Sequence, residues 1–230
     1  MIKTVIFDID NTLYSYDKNH VYGMEALAAY CETAFGITAK EMKNCYSRAG
    51  RIMTDRIGTD TAAIHSRMIR MQCMLELLEQ PLFPHARNMY HAYWDTFIEH
   101  IEPNPGVLKF MQELKKRKIR IGIGTDMTAY IQYRKLEAIG AAPYIDFIVT
   151  SEEAGIEKPH AHFFDICVEK AGVCAEECAF IGDNVKKDIE GAWESGLKGI
   201  WYTQEKEPEE QRRFPTLRSF TEIDVDEFLK

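Results

Sequence analysis

Short apolar runs that stop on acidic or hydroxyl residues constrain this chain more than any other feature. Thr4-Val5-Ile6-Phe7 halts at Asp8-Ile9-Asp10-Asn11-Thr12. Ile119 to Gly124 leads into Thr125-Asp126, and Ile145 to Val149 precedes a loop holding Glu157-Lys158-Pro159. Cys178 to Ile181 leads into Gly182-Asp183-Asn184, with Asp188 shortly after. Apolar runs this short, bounded by turn residues, read as strands buried on both faces. Helical patterns lie between them. Val107, Leu108, Phe110, Met111 and Leu114 share a face, Thr128 to Ile139 ends at Gly140, His162 to Ala171 at Gly172, and Val185 to Ser195 at Gly196. Such glycines suit the position after a helix, where the backbone turns left-handed. Gly199 to Tyr202 reads as a further strand. Strands alternating with helices predict an α/β fold with a doubly wound parallel sheet. Ligands of such a sheet bind beyond the carboxyl ends of its strands, so four segments bring polar groups to one edge.

Residues 15–102 interrupt the alternation after the first strand. The stretch is too long for a loop. From Met24 its apolar residues Leu27, Ala28, Cys31, Ala34 and Phe35 follow helical spacing, and helical patterns continue to about His100, with breaks near Gly36, Gly58 and Pro81 to Pro84. Pro103-Asn104-Pro105-Gly106 is the densest cluster of breakers. The predicted organisation is an α/β domain of residues 1–14 and 103–230 with a smaller all-helical domain, 15–102, inserted and hinged near Leu13 to His20 and Glu102 to Gly106. The charged stretch Gln204 to Arg213 is expected to be a solvated loop or short helix.

Apolar residues make up 46% and charged residues 28%, an ordinary globular composition. The net charge of -8, from 36 acidic against 28 basic residues, repels a polynucleotide backbone and argues against a nucleic-acid partner. A local site can still take a small phosphorylated ligand. No apolar run approaches the roughly 18 residues of a membrane span, and Met1-Ile2-Lys3-Thr4 does not open a signal peptide. Cysteines 31, 45, 73, 167, 174 and 178 form no evenly spaced framework and read as reduced thiols. Cys174 and Cys178 lack a second Cys or His pair to complete a metal site. The expectation is a cytoplasmic protein without a membrane partner.

Asp8-Ile9-Asp10-Asn11-Thr12-Leu13, Thr125 after a strand, Lys158 before Pro159, and Gly182-Asp183 with Asp188 resemble, in order, the four motifs of the haloacid dehalogenase superfamily. The position of the insert is similar to that family's helical cap. The residues agree physically: Asp8, Asp10 and Asp183 concentrate negative charge that is costly without a cation, and oxygen-only ligands suit Mg²⁺. The resemblance implies a Rossmann-like core and a Mg²⁺-dependent phosphatase acting on a small phosphorylated metabolite. It implies Asp8 as the nucleophile that becomes an aspartyl-phosphate, and Asp10 as general acid and then base. Mg²⁺ would be held by the Asp8 carboxylate, the Asp10 backbone carbonyl and Asp183. Thr125 would bond a phosphoryl oxygen, and Lys158 would neutralise charge as the phosphoryl group transfers. Asp188 would orient Lys158 or a metal-bound water, or simply favour the start of a helix as an early acid. Asn184 joins Asp188 as a supporting residue.

The motifs depart from the family pattern at two positions. Asn11 replaces the usual Gly, and Asn tolerates left-handed backbone. Asp126 stands where Asn is common; ionised, it cannot donate to phosphate, so it points away, caps the helix that follows, or accepts from a substrate hydroxyl. In the inserted domain His20, Tyr22, Arg48, Arg51 and Arg56 are candidate substrate selectors, although most such arginines are solvated or paired with surface acids. Tyr90, Tyr93, Trp94 and Phe97 read as core. Nucleoside monophosphates, sugar phosphates and glycolate-type phosphates all fit this chemistry. The alternatives are a phosphomutase with the same motifs, a 2-haloacid dehalogenase, which the second aspartate Asp10 disfavours, and a non-catalytic module that binds a phosphorylated ligand.

Overall fold

The computed structural model describes residues 1–204 and 214–230. Most of the charged stretch Gln204 to Arg213 lies outside the described residues. The chain forms two compact units, Met1–Ser15 with Glu102–Lys230, and Tyr16–Ile101.

Strand β1 (Thr4–Phe7) is wholly buried. The helical unit follows, with α1 (Tyr16–Phe35), α2 (Ala39–Ile57), a short 3-10 turn (Ala62–His65), α3 (Arg67–Leu77) and α4 (His85–Glu99). Helix α1 packs on α4 and α2 on α3. α1 begins well before Met24, where the sequence pattern starts. The inward positions of its first turns are Asn19 and Gly23, ahead of Leu27 and Cys31, so its early face carries no apolar signal. Helix α2 starts at a capping box, in which Thr38 and Glu41 satisfy each other's backbone N–H. Tyr93, Trp94 and Phe97 are fully buried, as their spacing predicts, whereas Tyr90, also expected in the core, is only half-buried.

The α/β unit resumes with α5 (Val107–Lys116), β2 (Arg120–Thr125), α6 (Ala129–Ala138), β3 (Phe147–Thr150), α7 (Ser151–Ala154), α8 (Ala161–Ala171) and β4 (Cys178–Gly182). A π-helical turn (Val185–Glu190) runs into α9 (Gly191–Glu194), followed by β5 (Lys198–Tyr202), β6 (Thr216–Leu217) and α10 (Val225–Phe228). The single helix expected over Val185 to Ser195 is therefore a π turn joined to an α turn. Asn184 and Asp188 use side-chain and backbone groups there to bond each other's segment. Elements as short as α7, β6 and α10 carry too few residues for a periodic signal.

Among the described residues the strands form one six-stranded sheet in the order β3-β2-β1-β4-β5-β6, and every pairing is parallel. From β1 the chain builds one side of the sheet with β2 and β3, then crosses to the other side with β4. The crevice at this reversal is where a doubly wound sheet binds ligands. Register makes it sharp. Phe7 pairs with Ile123 on one side and Ile181 on the other, so Asp8, Gly124 and Gly182 come level. The Asp8 N–H still bonds the Ile181 carbonyl at 2.9 Å, which anchors the first residue past the strand. One sheet face is sealed by Phe163, Phe164, Phe180, Val149 and Cys167. Each large side chain buried this way contributes about 2 kcal/mol.

Candidate active site

The ends of β1 and β4 and the segments that follow β3 and β4 bring three charged groups, Lys158, Asp8 and Asp188, into contact, with the Asp183 carboxylate nearby. Lys158 Nζ donates to Asp8 Oδ1 at 2.7 Å, to Asp188 Oδ1 at 2.6 Å and to the Gly124 carbonyl at 3.2 Å. Lys158, Asp8 and Asp188 are all nearly inaccessible. Burial pushes the Lys158 amine down, but the charges of Asp188, Asp8 and Asp126 more than reverse this and hold it well above the ordinary lysine range. Asp8 also accepts from the Thr12 hydroxyl at 3.3 Å. Burial first, then repulsion from Asp188, Asp183 and Asp10, raises its carboxyl well above the usual value against the pull of Lys158.

One carboxylate oxygen each from Asp8, Asp183 and Asp188 lies within 4.8 Å of the others. Burial and the neighbouring Asp188 push Asp183 up to about 7. One lysine cannot balance three carboxylates, and the donors are all hard oxygens. This donor set fits a hard divalent cation such as Mg²⁺. Gly182 makes the close approach possible: a Cβ there would lie 2.3 Å from Asp188 Oδ2. The indole of Trp201 donates to the Asp183 carbonyl at 2.9 Å and fixes that turn.

The carboxylate of Asp10 stands apart from this cluster. Lys135 Nζ donates to both of its oxygens, at 2.7 and 2.9 Å, and the Tyr14 hydroxyl and Gln132 amide donate as well. Burial pushes this carboxyl up, but the charge of Lys135 and those hydrogen bonds outweigh it and hold the group below its ordinary value. Asn11, next in the turn, has φ +61, the left-handed backbone that Asn tolerates. Thr125 is buried at the end of β2, where its hydroxyl accepts from Gln132 at 2.6 Å and donates to the Asp126 carbonyl at 3.1 Å.

Asp126 neither caps α6 nor stands free. Its Oδ1 accepts from the Lys158 N–H at 3.1 Å, and its Oδ2 pairs with Lys187 at 2.8 Å. Lys187 also reaches Glu157 at 3.0 Å. The first N–H of α6 is satisfied instead by Glu152, at 2.7 Å from Ala129. Asn184 accepts from the Lys187 N–H and caps the π turn, while its own N–H donates to Asp188.

Sequence reasoning missed Lys135, Gln132 and Tyr14. The signal for the first two was a lysine and a glutamine on the α6 face shared with Ile131 and Leu136, all four of them buried. In the helical unit, taken by itself, Arg48 and Arg51 are exposed and Arg56 pairs with Glu76 at 3.2 Å. Tyr22 stacks on His100. His20 Nδ1 lies 2.6 Å from the Tyr93 hydroxyl. The buried cation there is Arg67, only 8% exposed, set among the rings of Tyr46, Tyr93 and Trp94 and donating to the Tyr16 hydroxyl at 2.5 Å.

The family model for haloacid dehalogenase-like hydrolases matches residues 2–196. A ribulose-1,5-bisphosphate 5-phosphatase of Halopiger xanaduensis is 32% identical over 209 residues, covering 90% of this chain and 87% of that protein. A glyceraldehyde 3-phosphate phosphatase of Methanocaldococcus jannaschii is 30% identical over 198 residues, covering 86% and 83%. The crystal structure of a 2-haloacid dehalogenase from Pseudomonas syringae superposes with a TM-score of 0.80 over 100% of this chain and 98% of that one. At 21% identity that likeness concerns the fold alone. With a matched span that runs from β1 past the acidic cluster, and relatives this similar along most of both chains, the chain belongs to the haloacid dehalogenase-like hydrolases.

Proposed function

We propose that the protein is a phosphatase that hydrolyses a small phosphorylated metabolite through a phosphoryl group carried on Asp8. The observation that carries this reading is the presence of two carboxylates in two different environments. Asp8 lies in the acidic cluster beside Lys158, while Asp10 is held on Lys135, clear of that cluster. A nucleophile and a separate proton carrier are what phosphoester hydrolysis needs. Displacement of a halide needs no such proton, so Asp10 counts against that chemistry. Both curated relatives named above are phosphatases.

Asp8 attacks phosphorus with Oδ, while Lys158 offsets negative charge on the nucleophile and on the transferring group. The Thr125 hydroxyl turns from the Asp126 carbonyl to donate to a phosphoryl oxygen. Asp10 protonates the departing oxygen, then takes a proton from the water that frees Asp8. Asp8, Asp183 and the Asp10 carbonyl would hold Mg²⁺, with Asp188 beside them, and the ion would neutralise charge between the carboxylate and the phosphoryl oxygens. Asp126 is spent on Lys187 and on the Lys158 backbone, which braces the loop that carries Lys158.

The test is release of inorganic phosphate from a panel of phosphorylated metabolites, with Mg²⁺ and with a chelator. Metal-dependent release is expected, and Asp8→Asn is expected to abolish it. Retained turnover in Asp8→Asn, or interconversion of sugar-phosphate isomers without release, would overturn the reading.

A further inference from the structure

One fully buried ionic group has no part in the reaction as outlined. Lys135 lies on α6 with no exposed surface, and its amine spans both carboxylate oxygens of Asp10. Gln132, also fully buried, sits three residues earlier on the same helix face. Its Nε2 donates to Thr125 Oγ1 at 2.6 Å, to the Asp126 carbonyl at 3.0 Å and to Asp10 Oδ2 at 3.4 Å. A carboxylate and a carbonyl both require a donor, so the amide is fixed with its nitrogen facing them. Thr125 then receives a hydrogen bond on its oxygen, and its own hydrogen, which lies on the Asp126 carbonyl at 3.1 Å, is the one it can turn toward a phosphoryl oxygen.

Burying an ammonium group costs several kcal/mol unless a partner offsets it. A methionine would fill the same space but would strand the Asp10 carboxylate, so the lysine is there for Asp10 rather than for packing. Asp10 lies past the end of β1 beside the left-handed Asn11, in a turn rather than on a regular element. Among the described residues its carboxylate is fixed by Lys135, Tyr14 and Gln132. One face of α6 therefore aligns the Asp10 carboxylate and the Thr125 hydroxyl together.

We propose that Lys135, backed by Gln132, is a positioning residue for proton transfer at Asp10. The inference rests on the phosphatase reading above. In the first half-reaction the bond from Asp8 Oδ to phosphorus forms as the phosphorus–oxygen bond to the alcohol breaks. The proton that Asp10 took from water in the preceding turnover passes from its carboxyl to that alcohol oxygen. In the second half-reaction Asp10 takes a proton from water as the water oxygen bonds to phosphorus and the Asp8–phosphorus bond breaks. Lys135 touches neither the phosphoryl group nor the departing oxygen; it acts through Asp10, whose carboxylate it holds in one orientation.

Leaving groups separate this role from a structural one. p-Nitrophenolate departs without a proton, whereas an alkoxide does not. Lys135→Met is expected to lower kcat on glycerol phosphate by about 100-fold, the usual contribution of a placed acid or base, and on p-nitrophenyl phosphate by less than about threefold. Lys135→Gln, which keeps a donor, is expected to fall between wild type and Lys135→Met on the alkyl ester. Thermal unfolding of each variant separates lost fold from lost chemistry, and if Lys135→Met does not fold, Lys135→Gln carries the comparison. Equal losses on both esters, no loss on either, or failure of both variants to fold would overturn the proposal and mark Lys135 as a structural ion. Failure of the wild type to hydrolyse either ester is a separate outcome that removes the phosphatase reading itself.

Discussion

Lys158 is the residue on which the acidic cluster depends. It bonds two buried carboxylates, Asp8 and Asp188, at 2.7 and 2.6 Å. Lys158→Met would leave both without a cation. The expected result is a loss of about 3–5 kcal/mol in urea unfolding, the cost of stranding a buried charge. Phosphate release should fall by at least about 100-fold with it. Unchanged stability would mean that the carboxylates find another partner. At this scale the sequence was uneven. Asp8, Thr125 and Asp183 announce themselves by standing at strand ends, and Lys158 by its place before Pro159 in the loop after β3. Lys135 and Gln132 do not, because a polar residue within a helix is ordinary until the structure shows that its face is buried. Asp126 was ambiguous for a different reason, since its partner Lys187 comes from a distant segment that only the assembled sheet edge brings near.

Among the elements, α1 gives the clearest pH dependence. His20 is pushed down to about 4, first by burial and then by the charge of Arg67, with Asp17 opposing and Arg70 adding to the effect. Above the ordinary value of 6.5 the imidazole is neutral in both folded and unfolded chains and exacts no penalty. Between 6.5 and about 4 the unfolded chain binds the proton and the folded helical unit does not, so stability is lost as pH falls through this window. Discounted for partial exposure, the loss is about 2 kcal/mol. Urea unfolding at pH 7 and pH 5 checks it: His20→Gln should lose less stability on acidification than wild type, and an identical slope would exonerate His20. The start of α1 was illegible in the sequence, because Asn19 and Gly23 occupy its inward face. The long strands and helices of the sheet were legible because their burial is apolar and continuous. The π turn at Val185–Glu190 was not, since its geometry follows from Asn184 and Asp188 bonding back onto the chain.

For the whole molecule, a divalent cation held by the cluster of Asp8, Asp183 and Asp188 would link stability to metal. A cation that binds only the folded chain stabilises it by about 2.7 kcal/mol at a hundred times its dissociation constant. Mg²⁺ should therefore raise the Tm by several degrees over protein in chelator, at about 2–4 °C per kcal/mol for a chain of this size. Asp183→Asn should abolish most of that rise. An equal rise in that variant would place the ion elsewhere. The parallel sheet also has a consequence for the order of synthesis. Among the described residues β1 pairs with β2 and β4, and β4 ends at Gly182. The strand that leads to Asp8 is made before either of its neighbours, and it waits while the helical unit, Tyr16–Ile101, emerges as one unbroken stretch rich in local contacts. The central strand finds its second neighbour only after the helical unit, β2 and β3 have been made, so the carboxylate cluster is assembled only once β4 has followed them.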